Sequence, residues 1–175
     1  MKKPDILENR AKVVLLGIGS NLGNRYFNIE KAKYLLNSNE INLIKCSNYY
    51  ESHSWPDNRF PKYLNIIVMI KTTLSPLSLF NKIKLIEKAL GRKKKPKNHP
   101  RKCDIDIIDY DQKVLSINSA YGKIQIPHSR LHSRNFVLIP LFELSKKWNH
   151  PKLNEKITKL LSKIATNDLR TIKLI

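Results

Sequence analysis

Two aspartates one residue apart, in Arg101-Lys-Cys-Asp104-Ile-Asp106-Ile-Ile, carry the strongest chemical signal in the chain. On a strand, successive side chains alternate faces, so Asp104 and Asp106 point the same way while Ile105 and Ile107 turn into the core. Two neighbouring carboxylates repel each other unless a cation lies between them. Oxygen-only ligation favours Mg²⁺, which keeps waters and takes phosphate oxygens as further ligands, so the pair suits one or two magnesium ions carrying a polyphosphate. Taken alone, an Asp-x-Asp pair is equally well read as a solvated edge strand. Asp109 lies out of phase with the pair, near the far end of the same strand.

The segment ahead of the pair decides between these readings. Arg92 to Lys102 holds eleven residues, of which seven are Lys or Arg, two are Pro and none is aliphatic. It reads as a mobile basic loop. Arg92, Lys93, Lys94, Lys95, Lys97 and Arg101 are the cations that the outer oxygens of a metal-bound triphosphate need. Read as a nucleic-acid or nuclear-import tract, the run leaves an acidic pair beside it that repels phosphate, and a metal removes that conflict.

Other motifs narrow the chemistry. Gly17-Ile-Gly19-Ser-Asn-Leu-Gly23 has one residue too many before its third glycine for a dinucleotide fingerprint, and the next acid, Glu40, precedes the second strand. No G-x-x-x-x-G-K-[ST] loop occurs, so an ATP site must be built without one. His128 and His132 lack the intervening Glu of a zinc-protease helix. His128, close to Arg130 and Arg134, reads instead as a phosphate contact.

These residues need a scaffold. The chain has 175 residues and 41% hydrophobic composition, enough for one core and one domain over 1–175, with a frayed lead at 1–11 and a C-terminal helix and tail at 152–175. Lys plus Arg outnumber Asp plus Glu by 33 to 14, a net charge of +19, which fits a polyanionic partner, although an A- and T-rich genome also inflates lysine. No run approaches the ~18 apolar residues of a membrane span, and Val13–Ile18 is cut by Gly17, so a soluble, unexported chain is expected. Cys46 and Cys103 lack metal or redox spacing and read as packing residues of a reduced, cytoplasmic protein.

Val13–Ile18 reads as a buried strand. A helix follows over Tyr26–Leu36, capped by Asn24 or Asn21, with an apolar face of Phe27, Ile29, Ala32, Tyr34, Leu35 and Leu36. A strand spans about Ile41–Tyr50, Glu51–Lys62 is a surface loop, and Tyr63–Ile70 is a buried strand. Ser75 and Pro76 start a helix that Gly91 stops. After the strand from Cys103 come a short ribbon around Gly122, a turn at Pro127, a helix over Arg134–Leu144 and another over Asn154–Ile164. The order predicts an α+β fold, a ferredoxin-like α/β/α sandwich around a mainly antiparallel sheet.

Five blocks, in order, are similar to those of the 6-hydroxymethyl-7,8-dihydropterin pyrophosphokinase family between about Val13 and Pro151. They are Gly19-Ser-Asn-Leu-Gly, Tyr63-Leu-Asn65, Glu87 with Gly91-Arg92, Pro100-Arg101-x-x-Asp104-Ile-Asp106, and Ile126-Pro-His128-x-Arg-Leu-His-x-Arg134-x-Phe136. The resemblance implies transfer of diphosphate from ATP to the pterin hydroxymethyl group, with release of AMP, as a step of folate biosynthesis. It implies that Asp104 and Asp106 hold two Mg²⁺ ions and that Arg92 and Arg101 face the triphosphate. Glu87, Lys94, Lys97, Ile107, His128, Arg130 and Arg134 fall to the nucleotide side, with Ile107 near the adenine. For the pterin it implies Asn65 at the ring edge, Tyr63 and Phe136 on its faces, and contacts from Ser52, His53 and Trp55. Neither nucleic acid nor membrane is then a partner, and the chain acts as a monomer. Asn98, His99, Lys94, Lys97 and the Ser52-His-Ser-Trp segment depart from the family pattern. The competing class is a basic RNA-binding protein with no metal dependence, and a different nucleotide-dependent transferase is a third reading.

Overall fold

A computed structural model of the chain describes residues 10–55, 57–92 and 98–175. Most of the expected lead and the lysine run at 93–97, with Lys94 and Lys97, lie outside the described residues.

Strand β1 (Lys12–Ser20) is the axis of the sheet. Its even residues Val14, Leu16 and Ile18 enter one core, whereas Leu15 belongs to the other, and Gly17 and Gly19 continue that second face without side chains. Two strands flank it, both antiparallel: β4 (Tyr63–Thr72) on one side and β5 (Asp104–Tyr110) on the other. The far edge of β4 is shared, with β3 (Tyr50–Ser52) along Tyr63–Asn65 and β2 (Ile41–Cys46) along Val68–Thr72. The last strand, β10 (Lys173–Leu174), pairs with β3.

Helices α1 (Arg25–Leu36) and α2 (Pro76–Ala89) cover the first face, packing Ile29, Ala32, Leu36, Leu79, Ile83 and Ile86 onto it. Helices α3 (Asn135–Leu144) and α4 (Ile157–Ser162) cover part of the second through Val137, Leu138, Leu141 and Leu160. The strand order β5-β1-β4-β2 with helices on both faces gives the ferredoxin-like α/β sandwich that the sequence predicts. Outside it lie the hairpin of β6 (Leu115–Ser119) and β7 (Gly122–Ile126), the pair β8 (Asn149–His150) and β9 (Glu155–Lys156), and α5 (Thr166–Arg170). Asn24 caps α1 by accepting the Phe27 N–H, and Ser75 caps α2 through the Ser78 N–H ahead of Pro76.

Four local readings are corrected. The strand expected over Ile41–Tyr50 is two strands, because Ser47 leaves the ladder and uses both its N–H and its hydroxyl on the backbone of Ile67. Glu51 and Ser52 accordingly belong to β3 rather than to a loop. On α1, Phe27 and Tyr34 are 58% and 80% exposed, and the buried face is Asn28, Ile29, Ala32 and Leu36. The helix expected from Asn154 begins at Ile157, since Asn154 has a left-handed φ of 53° and closes a turn onto the His150 carbonyl.

The fourth correction concerns Asp109. Leu16 pairs with Ile107 but Leu15 with Asp109, so Ile108 is an extra residue and β5 carries a bulge. The bulge reverses the alternation. Asp109 therefore shares the face of Asp104 and Asp106 rather than the opposite one, and is buried under the second core. There it accepts the Trp148 indole N–H at 2.6 Å and the Gln112 backbone N–H at 2.8 Å.

Removing this acceptor should loosen the joint between the sheet and the α3–α4 layer. We expect Asp109→Ala to lower unfolding free energy by roughly 1–3 kcal/mol in urea titrations, because it strands a buried indole donor. Asp109→Asn, which keeps an oxygen there, should cost less. Burial raises the Asp109 carboxyl above its ordinary value. Its ionisation thus subtracts stability as pH rises through that raised value, and the Asn variant should lose this pH dependence. Equal losses for Ala and Asn at every pH would rule the account out.

Candidate active site

The part of the second face that α3 leaves uncovered is a cavity of about 870 Å³. Its floor follows from register. Across the sheet Asn65, Gly19 and Asp104 lie side by side, and the next row is Ile67, Gly17 and Asp106. A Cβ at Gly19 would come 3.1 Å from Asn65 Oδ1 and 3.3 Å from the Tyr63 ring, and one at Gly17 would come 3.3 Å from Ile108. The glycines thus make a trough between an amide wall on β4 and a carboxylate wall on β5, two strand spacings or roughly 9–10 Å apart.

On the carboxylate wall, Asp104 accepts from Arg92 Nη1 at 2.6 Å and from Arg101 Nη1 at 3.2 Å. Asp106 pairs with Arg134 at 3.5 Å. Burial alone would raise the Asp104 carboxyl, but Arg101 and Arg92 outweigh it and hold it below the ordinary carboxylate value. Arg92 is aimed by its surroundings. Gly91, with φ of 84°, turns the chain off α2, and the Arg92 guanidinium bridges Glu87 to Asp104. Glu87 is 1% exposed and also takes the Ile105 N–H and the Lys84 ammonium, at 2.8 and 2.9 Å. Burial pushes the Glu87 carboxyl up against the pull of Lys84 and Arg92.

On the amide wall, the Asn65 amide donates to Ser52 Oγ at 2.9 Å, which leaves its oxygen toward the trough beside Gly19. Tyr63 and Phe136 supply aromatic surface, and burial raises the Tyr63 phenol so that it stays neutral. His53 and Trp55 line the rim, where the Arg130 guanidinium stacks 4.8 Å over the Trp55 ring. His128 accepts the Arg130 N–H on Nδ1, and burial lowers its pKa, keeping the ring neutral. Burial likewise lowers that of Arg134, whose Nε is buried with no hydrogen-bond partner.

Of the residues singled out from sequence, Arg92, Arg101, Asp104, Asp106, His128, Arg130, Arg134, Ser52, His53, Trp55, Tyr63, Asn65 and Phe136 all line this cavity. Two do not. Ile107 is buried on the α1–α2 side, and Glu87 lies beneath Arg92. Lys84 and Lys102 line the cavity without having been singled out. The spacing of Lys84 from Glu87, one helical turn, was the available signal for the first. Among the described residues no group of three or more His, Cys, Asp or Glu is gathered to hold a metal.

Residues 15–146 match the family model described as 7,8-dihydro-6-hydroxymethylpterin-pyrophosphokinase (HPPK). The 2-amino-4-hydroxy-6-hydroxymethyldihydropteridine pyrophosphokinase of Aquifex aeolicus is 38% identical over 138 residues, 79% of this chain and 83% of that protein. The folic acid synthesis protein fol1 of Pneumocystis carinii is 34% identical over 98% of this chain, which spans only 22% of it. A solved structure of a Plasmodium falciparum HPPK-DHPS triple mutant has a TM-score of 0.79 at 17% identity, covering 96% of this chain and 48% of that one, a likeness of fold. The chain therefore belongs to the 7,8-dihydro-6-hydroxymethylpterin-pyrophosphokinase family, ATP-dependent diphosphokinases of folate synthesis.

Proposed function

We propose that this chain transfers diphosphate from ATP to the hydroxymethyl group of 6-hydroxymethyl-7,8-dihydropterin in the cavity above Gly17 and Gly19. The observation that carries the assignment is the row Asn65–Gly19–Asp104, an edge-reading amide and a carboxylate separated by a strip with no side chains. A flat heteroaromatic ring fits such a strip, with polar atoms at its edge and aromatic surface at its faces. Asn65 then reads the ring edge, Tyr63 and Phe136 cover its faces, and Ser52, His53 and Trp55 close the far end. The hydroxymethyl group is left pointing at β5.

ATP lies along the carboxylate wall, held by Arg92, Arg101, Arg134, His128 and Arg130, with Lys94 and Lys97 from the basic segment. The partnerless Nε of Arg134 is the kind of buried donor that an anionic ligand satisfies. Glu87 works through Arg92, fixing a guanidinium whose fork matches phosphate oxygens. Two same-face carboxylates, with no third acid gathered to them among the described residues, fit magnesium, whose remaining ligands are waters and phosphates. Bound to Asp104 and Asp106, Mg²⁺ would neutralise phosphate charge and lower the pKa of the attacking hydroxyl. The hydroxyl oxygen attacks the β-phosphorus in line and gives up its proton to solvent, the bond from that phosphorus to the α,β-bridging oxygen breaks, and AMP departs with its electron pair. The arginines act mainly as charge moves onto that leaving oxygen. We read the enzyme as a cytoplasmic monomer acting on small molecules, with no nucleic-acid or membrane partner.

AMP release from ATP on adding the reduced pterin tests the assignment directly; salt-sensitive RNA affinity without AMP release would support the basic RNA-binding class instead. Asp104→Asn and Asp106→Asn should remain folded in thermal melts yet lose about 10³-fold or more in turnover across a magnesium titration, roughly 4 kcal/mol. Near-normal rates in both folded variants would sink the carboxylate assignment.

A side chain placed in the trough should act on the other substrate. We expect Gly19→Val to raise the KM for pterin at least tenfold while affinity for a non-hydrolysable ATP analogue, read by calorimetry, changes little. Equal losses of both affinities would mean that the substrates do not divide along the trough as described.

A further inference from the structure

In the block Gly19-Ser-Asn-Leu-Gly, Asn21 has no part in the reaction as described. Asn21 follows the end of β1, is 1% exposed, and reaches two distant segments at once. Its Oδ1 accepts the Arg101 N–H at 2.8 Å, and its own N–H donates to the Arg101 carbonyl at 3.2 Å. Its Nδ2 donates to Ser54 Oγ at 3.1 Å and to the Pro61 carbonyl at 3.2 Å. Ser54 Oγ in turn donates to the same Pro61 carbonyl at 2.7 Å, so the connection between β3 and β4 is closed on itself before Asn21 takes hold of it.

The two segments thus joined are the roots of opposite walls. One carries Ser52, His53 and Trp55, and the other carries Arg101 and, three residues on, Asp104. They also approach each other where the Phe60 and His99 rings lie 5.4 Å apart. An amide is the smallest side chain that offers an acceptor in one direction and two donors in the other within one plane. Asp would keep the acceptor and lose both donors, and Ala would lose all three bonds. Because Asn21 and Ser54 are buried and Arg101 is half-buried, water does not freely replace the bonds among these three.

We propose that Asn21 is a positioning residue that sets the separation of the pterin wall from Arg101, so that the alignment of hydroxyl and β-phosphorus depends on it more than either substrate's binding does. The proposal rests on the assignment of pterin and ATP to the two walls. A displacement of about 1 Å between reacting groups is enough to cost on the order of 10²-fold in rate.

The test compares Asn21→Asp and Asn21→Ala with the unaltered protein by steady-state AMP release and by amide hydrogen exchange. In Asn21→Asp, exchange should quicken across 57–61 while the Arg101 amide stays protected; in Asn21→Ala both should quicken. Both variants should lose about 10²-fold in kcat with each KM within a few-fold, and the Asp variant should not recover the rate, because one wall has been released. Ser54→Ala, which removes the hydroxyl between Asn21 and Pro61, should give a smaller kcat loss that is not additive with Asn21→Asp. Unchanged exchange in both segments, or lower melting temperature with normal kcat per folded molecule, would overturn the proposal. If the unaltered protein released no AMP, the substrate assignment would fail instead, and the exchange pattern would still decide whether Asn21 joins the two segments.

Discussion

A central strand of a sheet normally presents side chains to both layers, and β1 does so only at its start. Beyond Leu15 its second face is Gly17 and then Gly19, and much else follows from that gap. Glycine in a strand interior costs roughly 0.5–1 kcal/mol relative to alanine, and the same strand offsets it by burying Val14, Leu16 and Ile18 on the other side. The gap leaves the backbone of β1 open to the cavity that α3 does not cover. Because β4 and β5 flank β1 in fixed register, the walls of the gap are chosen by pairing rather than by loop conformation. Asn65 and Asp104 can only be where they are while Gly19 lies between them.

The carboxylate wall is kept neutral by its neighbours. Asp104 has two arginines and Asp106 one, and all three cations come from segments that border the sheet rather than from its strands. A triphosphate would compete for the same guanidinium groups, which makes the ion pairs a resting arrangement that substrate charge can reorder. Glu87 is the fixed point. It is buried, holds Arg92 on one oxygen and Lys84 on the other, and accepts the N–H of Ile105 between the two aspartates. An exchange of partners at Asp104 therefore takes place against an anchor tied to the strand that carries Asp104.

Sequence reasoning worked where a short-range periodicity dictates geometry. The shared face of Asp104 and Asp106 follows from strand alternation, and the start and end of α2 follow from Ser75, Pro76 and the left-handed Gly91. It failed where distant partners decide. The break at Ser47 depends on Ile67, twenty residues away. Three residues of β3 carry no alternation of their own and become a strand because Tyr63–Asn65 offers them an edge. On α1, Phe27 and Tyr34 fit an apolar recurrence yet stand in solvent, whereas Asn28 faces inward to donate to Ser20 and to the Leu22 carbonyl. The tie between Asn21, Ser54 and Arg101 spans up to 80 positions and leaves no local trace.

The bulge at Ile108 divides β5 into two halves with different tenants. Upstream, the face that carries Asp104 and Asp106 serves the cavity; downstream, Asp109 on that same face serves the joint with Trp148. In an unbroken strand Ile108 would hold the place beside Trp148, and Asp109 would turn to the side of α1 and α2. One inserted residue lets the two halves drift independently in sequence, because each obeys its own parity. Deleting Ile108 would leave Asp104, Asp106 and Asp109 alternating on one face of a regular strand, whereas regular alternation of the residues now present would turn Asp109 against the apolar helices α1 and α2.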